Sequence, residues 1–181
     1  VVEEGLEYGP AKRRAVKQLG LNARAQLPNN DQVEDAVREY LDVFCADSQP
    51  AELKALRELA AVWMERMAAF RPHLGGAVWR GTATCLSDVY LQLFCDDSKS
   101  AEISLIDHNV RYEVSTVQGF QGEAVDALSI LSSCPGLSQK VLVHLMIYDL
   151  DDLRGALKPD AQGRTYRGDL AALNKLMKEF E

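Results

Sequence analysis

Long apolar runs, an excess of positive charge and paired cysteines are all missing from this chain of 181 residues, and each absence removes a class of function. The longest clean apolar stretch, Val141–Leu142–Val143–His144–Leu145–Met146–Ile147–Tyr148, falls far short of the roughly 20 residues that span a bilayer and suits a buried strand instead. With Lys+Arg 20 against Asp+Glu 27 the net charge is −7, so the surface has no general counterion-releasing affinity for nucleic acid. The four cysteines, Cys45, Cys85, Cys95 and Cys134, form no C-x-x-C pair, which argues against a zinc knuckle or a thioredoxin-like site. A chain this long needs no disulfide framework, and reduced thiols are expected. The opening Val1–Val2–Glu3–Glu4 lacks the basic-then-apolar order of a signal peptide, so the expected location is cytoplasmic. No G-x-x-x-x-G-K-[ST] and no G-x-G-x-x-G after a strand occur, which disfavours P-loop and Rossmann sites.

What is present is an ordinary globular composition, 47% hydrophobic and 26% charged, with apolar mass enough for a real core. At about 100–200 residues per domain, the length allows one compact unit. Within it an N-terminal helical segment, residues 1–48, precedes an α+β body, residues 49–181. Pro10 can open a first helix that stops at Gly20. A second follows Asn29–Asn30–Asp31, with Val33, Ala36, Val37, Tyr40, Leu41 and Phe44 in one stripe. Pro50 starts a third, whose Leu53, Leu56, Leu59, Ala60, Trp63, Met67 and Phe70 repeat as a core-facing helix should.

After Pro72 the period changes. Residues 75–80 read as a short strand, and Val89 to Cys95 alternates in and out. Ser98 can cap a helix through Asp107, where His108 would suit the dipole. Val110 to Val117 and Ala124 to Ser129 read as a hairpin around Gln118–Gly119–Phe120–Gln121–Gly122. The strand at 141–148 follows, and helices at 150–157 and 169–180 finish the chain. Helices first, then strands interrupted by a helix, define an α+β fold with a mixed sheet of about five strands. Asp96–Asp97 and Asp149–Asp151–Asp152 sit at expected helix starts, where acids cap rather than bind metal. His144 reads as a satisfied core residue, and Cys85 with His144 as base has no local signature. The cations Lys12, Arg13, Arg14, Lys17 and Arg24 read as the solvated face of a short helix, with phosphate of a nucleic acid or nucleotide as the alternative.

The stretch Leu74–Gly75–Gly76–Ala77–Val78–Trp79–Arg80–Gly81–Thr82–Ala83–Thr84–Cys85–Leu86–Ser87–Asp88–Val89–Tyr90–Leu91 carries the chemistry. Glycines after a strand let the backbone approach a triphosphate, and successive amides in the turn make an anion nest. Acids at i and i+2 on a strand share a face about 6.6 Å apart, and a third from an adjacent strand can share their metals. Two Mg²⁺ ions then activate a hydroxyl and stabilise the leaving pyrophosphate. The segment resembles the signature of the polymerase-beta-like nucleotidyltransferases, in particular small bacterial members. An apolar residue precedes Gly75–Gly76, and eleven residues later comes Asp88–Val89–Tyr90–Leu91; Arg80–Gly81–Thr82 and Ser87–Asp88 add to the likeness. It implies that Gly75, Gly76, Arg80, Gly81, Thr82 and Ser87 bind nucleotide and that Asp88 and Asp126, with Glu113 as runner-up to the latter, hold Mg²⁺ and catalyse.

One position departs from the pattern. The second acid is replaced by Tyr90, a phenol that is neutral at pH 7 and a poor Mg²⁺ ligand. The reading is therefore a nucleotidyltransferase-fold protein that binds a nucleoside triphosphate with Mg²⁺. It is expected to be catalytically degenerate and to act as a regulatory or partner-binding module, with a protein partner. The alternative is an active enzyme transferring a nucleoside monophosphate to an acceptor. Nucleic acid enters only through residues 12–24, and no membrane is involved.

Overall fold

The computed structural model describes residues 1–22, 25–159 and 163–179. Helix α1 (Tyr8–Gln18) carries Pro10 in its first turn and ends before Gly20, in the left-handed conformation at φ +62°. Helix α2 (Asn30–Phe44) opens on a capping box: the Asn29 side chain accepts from the Gln32 amide and the Gln32 side chain accepts from the Asn29 amide. Helix α3 (Gln49–Arg66) takes Pro50 in its first turn, as the sequence predicts.

The body follows as β1 (His73–Gly75), α4 (Gly76–Arg80), β2 (Val89–Cys95), α5 (Ser98–Asp107), β3 (Glu113–Gln118), β4 (Ala124–Cys134), β5 (Gln139–Asp149), α6 (Leu153–Ala156) and α7 (Leu170–Lys178). The five strands form one sheet in the order β1-β2-β5-β4-β3, in which only β2 and β5 run parallel. This is the α+β fold with a mixed five-stranded sheet that the element order predicts.

Several boundaries differ from expectation, among them the first hairpin strand, which opens at Glu113 rather than Val110. Residues 75–80 are not a strand: β1 stops at Gly75, Gly76 turns the chain at φ +67°, and Gly76–Arg80 closes as a helical turn. Gly81, at φ +82°, lets the Thr82 amide reach back to the Ala77 carbonyl at 3.0 Å, a Schellman-type end. The second hairpin strand runs on from Ser129 to Cys134 because β5 pairs with it as far as Cys134–Gln139. The expected helix at 150–157 begins as a 3₁₀ turn, Leu150–Asp152, before α6.

Alternation gives the sheet two unlike faces. One carries Val89, Leu91, Leu93, Leu128, Ile130, Val143, Leu145 and Ile147 against α3 and α5, with Leu56, Ala60, Met64, Ala101 and Leu105 in the same buried cluster. Each large side chain buried there contributes about 1.5–3 kcal/mol. The opposite face, called the front here, carries Tyr90, Gln92 and Phe94 from β2 and His144, Met146 and Tyr148 from β5. Phe94, Tyr148, Val125 and Ala156 pack together with Phe120 at one end of it. The N-terminal helices keep a cluster of their own, Tyr8, Val37 and Leu41. No helix among the described residues is long and apolar enough to cross a membrane.

Candidate functional site

The loop between α4 and β2 is fixed by hydrogen bonds from three sides, and that sets where Asp88 emerges. Ser87 and Thr84 close a tight turn, Ser87 N–H to Thr84 O at 2.9 Å and Thr84 N–H to Ser87 Oγ at 3.0 Å. From α3, Glu52 accepts the Cys85 amide at 2.8 Å, and Gln49 donates to the carbonyls of Gly81 and Ala83. From β5, Gln139 donates to the Cys85 carbonyl. Thr82 and Ser87 are buried in this loop, so their part here is to shape it. Gly81 ends α4, as described above.

The register then aligns one rank of residues across all five strands. Gly75 pairs with Tyr90, Tyr90 with His144, His144 with Ser129 and Ser129 with Glu113. Asp88, two residues before Tyr90, reaches the same face. Its Oδ2 lies 3.3 Å from His144 Nε2, and His144 Nδ1 lies 2.8 Å from Ser129 Oγ. A carboxylate accepts from the Nε2 proton, and Nδ1 shares the second bond with the Ser129 hydroxyl. The Tyr90 ring stacks on the imidazole with centroids 4.8 Å apart. Burial pushes the Tyr90 phenol up to about 12, with the charges of Asp88 and Glu7 adding to it.

The expected partnership of Asp88 with Asp126 is not formed. Asp126 pairs directly with Ile147, a residue of the helix-covered core, so it points to the opposite face of the sheet from Asp88 and His144. It also sits toward the far end of β5, since Val89, next to Asp88, pairs with Val143. A hairpin strand two places from β2 cannot bring that carboxylate round the sheet. Glu113 is on the front face, but it ends the rank on the edge strand, about 14 Å from Tyr90 at ~4.8 Å per strand. The strands adjacent to Tyr90 present Gly75 on one side and His144 on the other. Asp88 is thus the one carboxylate of the motif that lies near the turn. Among the described residues no group of three His, Cys, Asp or Glu side chains could hold a metal ion. Asp88 beside an imidazole, with the nearby Glu7 carboxylate already taken by the Ala77 amide and Arg80, does not fit a two-Mg²⁺ centre, which needs bridging oxygen ligands.

Arg80 does not point freely at the turn. Its Nη2 donates to Glu7 Oε2 at 2.9 Å, its Nε lies 3.8 Å from Glu34, and its guanidinium covers the Tyr8 ring at 4.4 Å. Burial works against the Arg80 charge, but Glu7 and Tyr8 outweigh it and hold its pKa above the ordinary arginine value. The other oxygen of Glu7 accepts the Ala77 amide at 3.2 Å, inside the glycine turn itself.

Glu7, His144 and Ser129 are the members of this site that sequence reasoning misses. His144 has a signal: it falls on the non-core phase of its strand. Ser129 has one only once the hairpin register is known, and Glu7 has none, lying 70 residues from its amide partner. Ser129, His144 and Asp88 place a hydroxyl, an imidazole and a carboxylate in line. Ser129 is paired on both sides, to Glu113 and to His144, and beyond it β4 is paired to β5 alone. The acid pairs at helix starts cap as expected, Asp97 accepting from the Lys99 amide and Asp149 from the Asp151 amide. In the basic segment Lys12 donates to Pro28 O and Asn30, and Arg14 pairs with Glu4, while Arg13 and Lys17 are exposed. Arg24 lies outside the described residues.

No protein-family model matches this chain, and no curated protein does. Solved structures similar to it in shape include the following. The Cid1 poly(U) polymerase with MgGTP bound has 14% identity and a TM-score of 0.41, over 66% of this chain and 38% of that one. A cytoplasmic RNA terminal U-transferase has 14% identity and a TM-score of 0.42, over 71% of this chain and 40% of that one. The chain spans about two fifths of the length of either.

Proposed function

We propose that this chain is a nucleotidyltransferase-fold protein that takes a nucleoside triphosphate, with its Mg²⁺, at the Gly75–Gly76 turn and has lost transfer chemistry, serving as a regulatory or partner-binding module. The observation that carries the reading is the rank Gly75–Tyr90–His144, with Asp88 beside it. The glycine turn and the first acid of the motif are kept together on one face, while the neighbouring places hold a phenol and an imidazole. Gly75 and Gly76 let a polyphosphate approach the backbone, and Asp88, half-exposed, is the carboxylate within reach of a metal carried by that polyphosphate. Tyr90 offers the triphosphate no charge. His144 holds Asp88 in place and is itself held by Ser129.

The test is a thermal-shift and calorimetric panel of MgATP, MgGTP, MgCTP and MgUTP against wild type and Asp88→Asn. A ligand at 100 times its Kd stabilises the folded state by about 2.7 kcal/mol. The expected result is stabilisation by at least one Mg–nucleotide complex, weakened in Asp88→Asn, with no pyrophosphate released. Pyrophosphate release dependent on Asp88 would establish the active-enzyme alternative, and absence of binding by every complex would end the reading.

A further inference from the structure

We infer that the N-terminal segment is a built-in competitor for the anion this site takes, with Glu7 as the group a phosphate must displace. The inference rests on the proposed reading of the Gly75–Gly76 turn as a triphosphate site and concerns how that site is regulated.

The Glu7 carboxylate already makes the contacts that an incoming phosphate would make. One oxygen accepts from the Ala77 main-chain amide at 3.2 Å and the other from the Arg80 guanidinium at 2.9 Å. A phosphate would call on these same donors, a backbone N–H and a planar guanidinium, both suited to charge-assisted bonds. The space above the turn is filled as well. A Cβ placed on Gly76 would stand 3.1 Å from Glu7 Oε1 and 3.3 Å from the Tyr90 ring, so the carboxylate and the ring together occupy the approach that the glycine keeps open.

Glu7 is held there by its neighbour. Tyr8 is 5% exposed, packs with Val37 and Leu41, and carries the Arg80 guanidinium on its ring. The carboxylate is therefore tethered one residue from an anchored aromatic ring and acts at a high effective concentration. A triphosphate binds only the fraction of molecules from which Glu7 has left, and its apparent Kd rises by the reciprocal of that fraction. Anything that draws the first helix away, a protein partner included, would open the site.

Glu7→Gln tests this, because it keeps the shape and one acceptor oxygen and removes the charge. Affinities for the four Mg–nucleotide complexes and for inorganic tripolyphosphate are measured by calorimetry on wild type, Glu7→Gln, Glu7→Asp and a control, Glu4→Gln, whose carboxylate meets Arg14 at the surface at 3.0 Å. The expected result is a Kd about tenfold lower in Glu7→Gln, an intermediate gain in Glu7→Asp, and none in Glu4→Gln. Hydrogen exchange on wild type should show amides of residues 1–18 losing protection when the nucleotide is added. If Glu7→Gln does not fold, Glu7→Asp and the exchange experiment decide. Equal affinity in wild type and the Glu7 variants, with residues 1–18 staying protected, overturns the inference and leaves the nucleotide reading standing. No binding to any of the four proteins overturns both.

Discussion

Tyr90 is the residue at which the motif and the structure disagree about chemistry, and its surroundings explain why a phenol is stable there. It lies between the Gly76 turn and the His144 ring, largely buried, with two carboxylates nearby. Those conditions disfavour its ionised form and push its pKa up to about 12 from a usual value of 10.0. The folded state therefore holds the Tyr90 proton more tightly than the unfolded chain. That contribution to stability is complete below pH 10 and is lost as pH rises toward 12. A shift of this size corresponds to about 2–3 kcal/mol, so Tyr90→Phe should lose less stability than wild type between pH 10 and 12, read from urea midpoints across that range. A carboxylate at position 90 would face the opposite problem. Tyr90→Asp alone places two acids beside an imidazole, whereas Tyr90→Asp with His144→Asp supplies three on two adjacent strands. The double variant is expected to gain a Mg²⁺-dependent rise in Tm of several degrees and the single variant little, by thermal denaturation with and without Mg²⁺. The sequence shows Asp88 and Tyr90 plainly, because their i, i+2 spacing fixes a shared face whatever the sheet does. It does not show which residue faces Tyr90 across the strand boundary. That depends on β5, not the hairpin strand β4, lying beside β2, and no local pattern encodes strand order.

The elements themselves were largely legible where one periodicity dominates. Val89–Cys95 and the long strand through Val143 alternate, the stripe from Val33 to Phe44 repeats at helical spacing, and each structure follows its pattern. The failure at residues 75–80 has a definite physical cause. Ala77–Val78–Trp79 is apolar enough for a strand, and only the left-handed turn at Gly76 converts it to a helical one. That short helix is held from outside by the stretch leading into the cap of the last helix. Gly168 bridges the main chain of Leu74 with bonds of 2.8 and 3.0 Å in the two directions, continuing the sheet beyond β1. The Trp79 indole lies so close to its Cα that any side chain there would run into the ring, and the indole N–H donates to Thr165 O at 2.8 Å. Gly168→Ala should cost about 1–3 kcal/mol by overpacking, seen as a lower urea midpoint with an unchanged slope. An unchanged midpoint would mean that the Trp79 ring moves aside freely, and with it that α4 is not braced from this side.

At the scale of the whole molecule, the N-terminal helices meet the α+β body through a junction centred on one cation. Arg80 binds Glu7 ahead of α1 and approaches Glu34 on α2, while its own carbonyl accepts from Arg38 at 2.6 Å. Tyr8 of the same N-terminal cluster lies under the guanidinium. The expectation of a helical segment ahead of an α+β body did not include this junction, because its members are separated by up to 73 positions and, Arg80 apart, none lies in a motif. Its polar character has a consequence that an apolar interface would not. Arg80→Met keeps much of the side chain's bulk over Tyr8 but leaves Glu7 without its cation and Glu34 with Arg38 alone, and losing one partner of this half-buried pair is expected to cost up to about 3 kcal/mol. Arg80 is less than one-fifth exposed, so most of that cost should be felt at the junction itself. The sheet gains its stability from the cluster against α3 and α5, of which Arg80 is not a member. Hydrogen exchange on Arg80→Met should therefore show α1 and α2 amides losing about a hundredfold or more in protection while β2, β4 and β5 keep theirs. Uniform loss across helices and sheet would mean instead that the two parts unfold together, and that the body cannot release its N-terminal segment without coming apart.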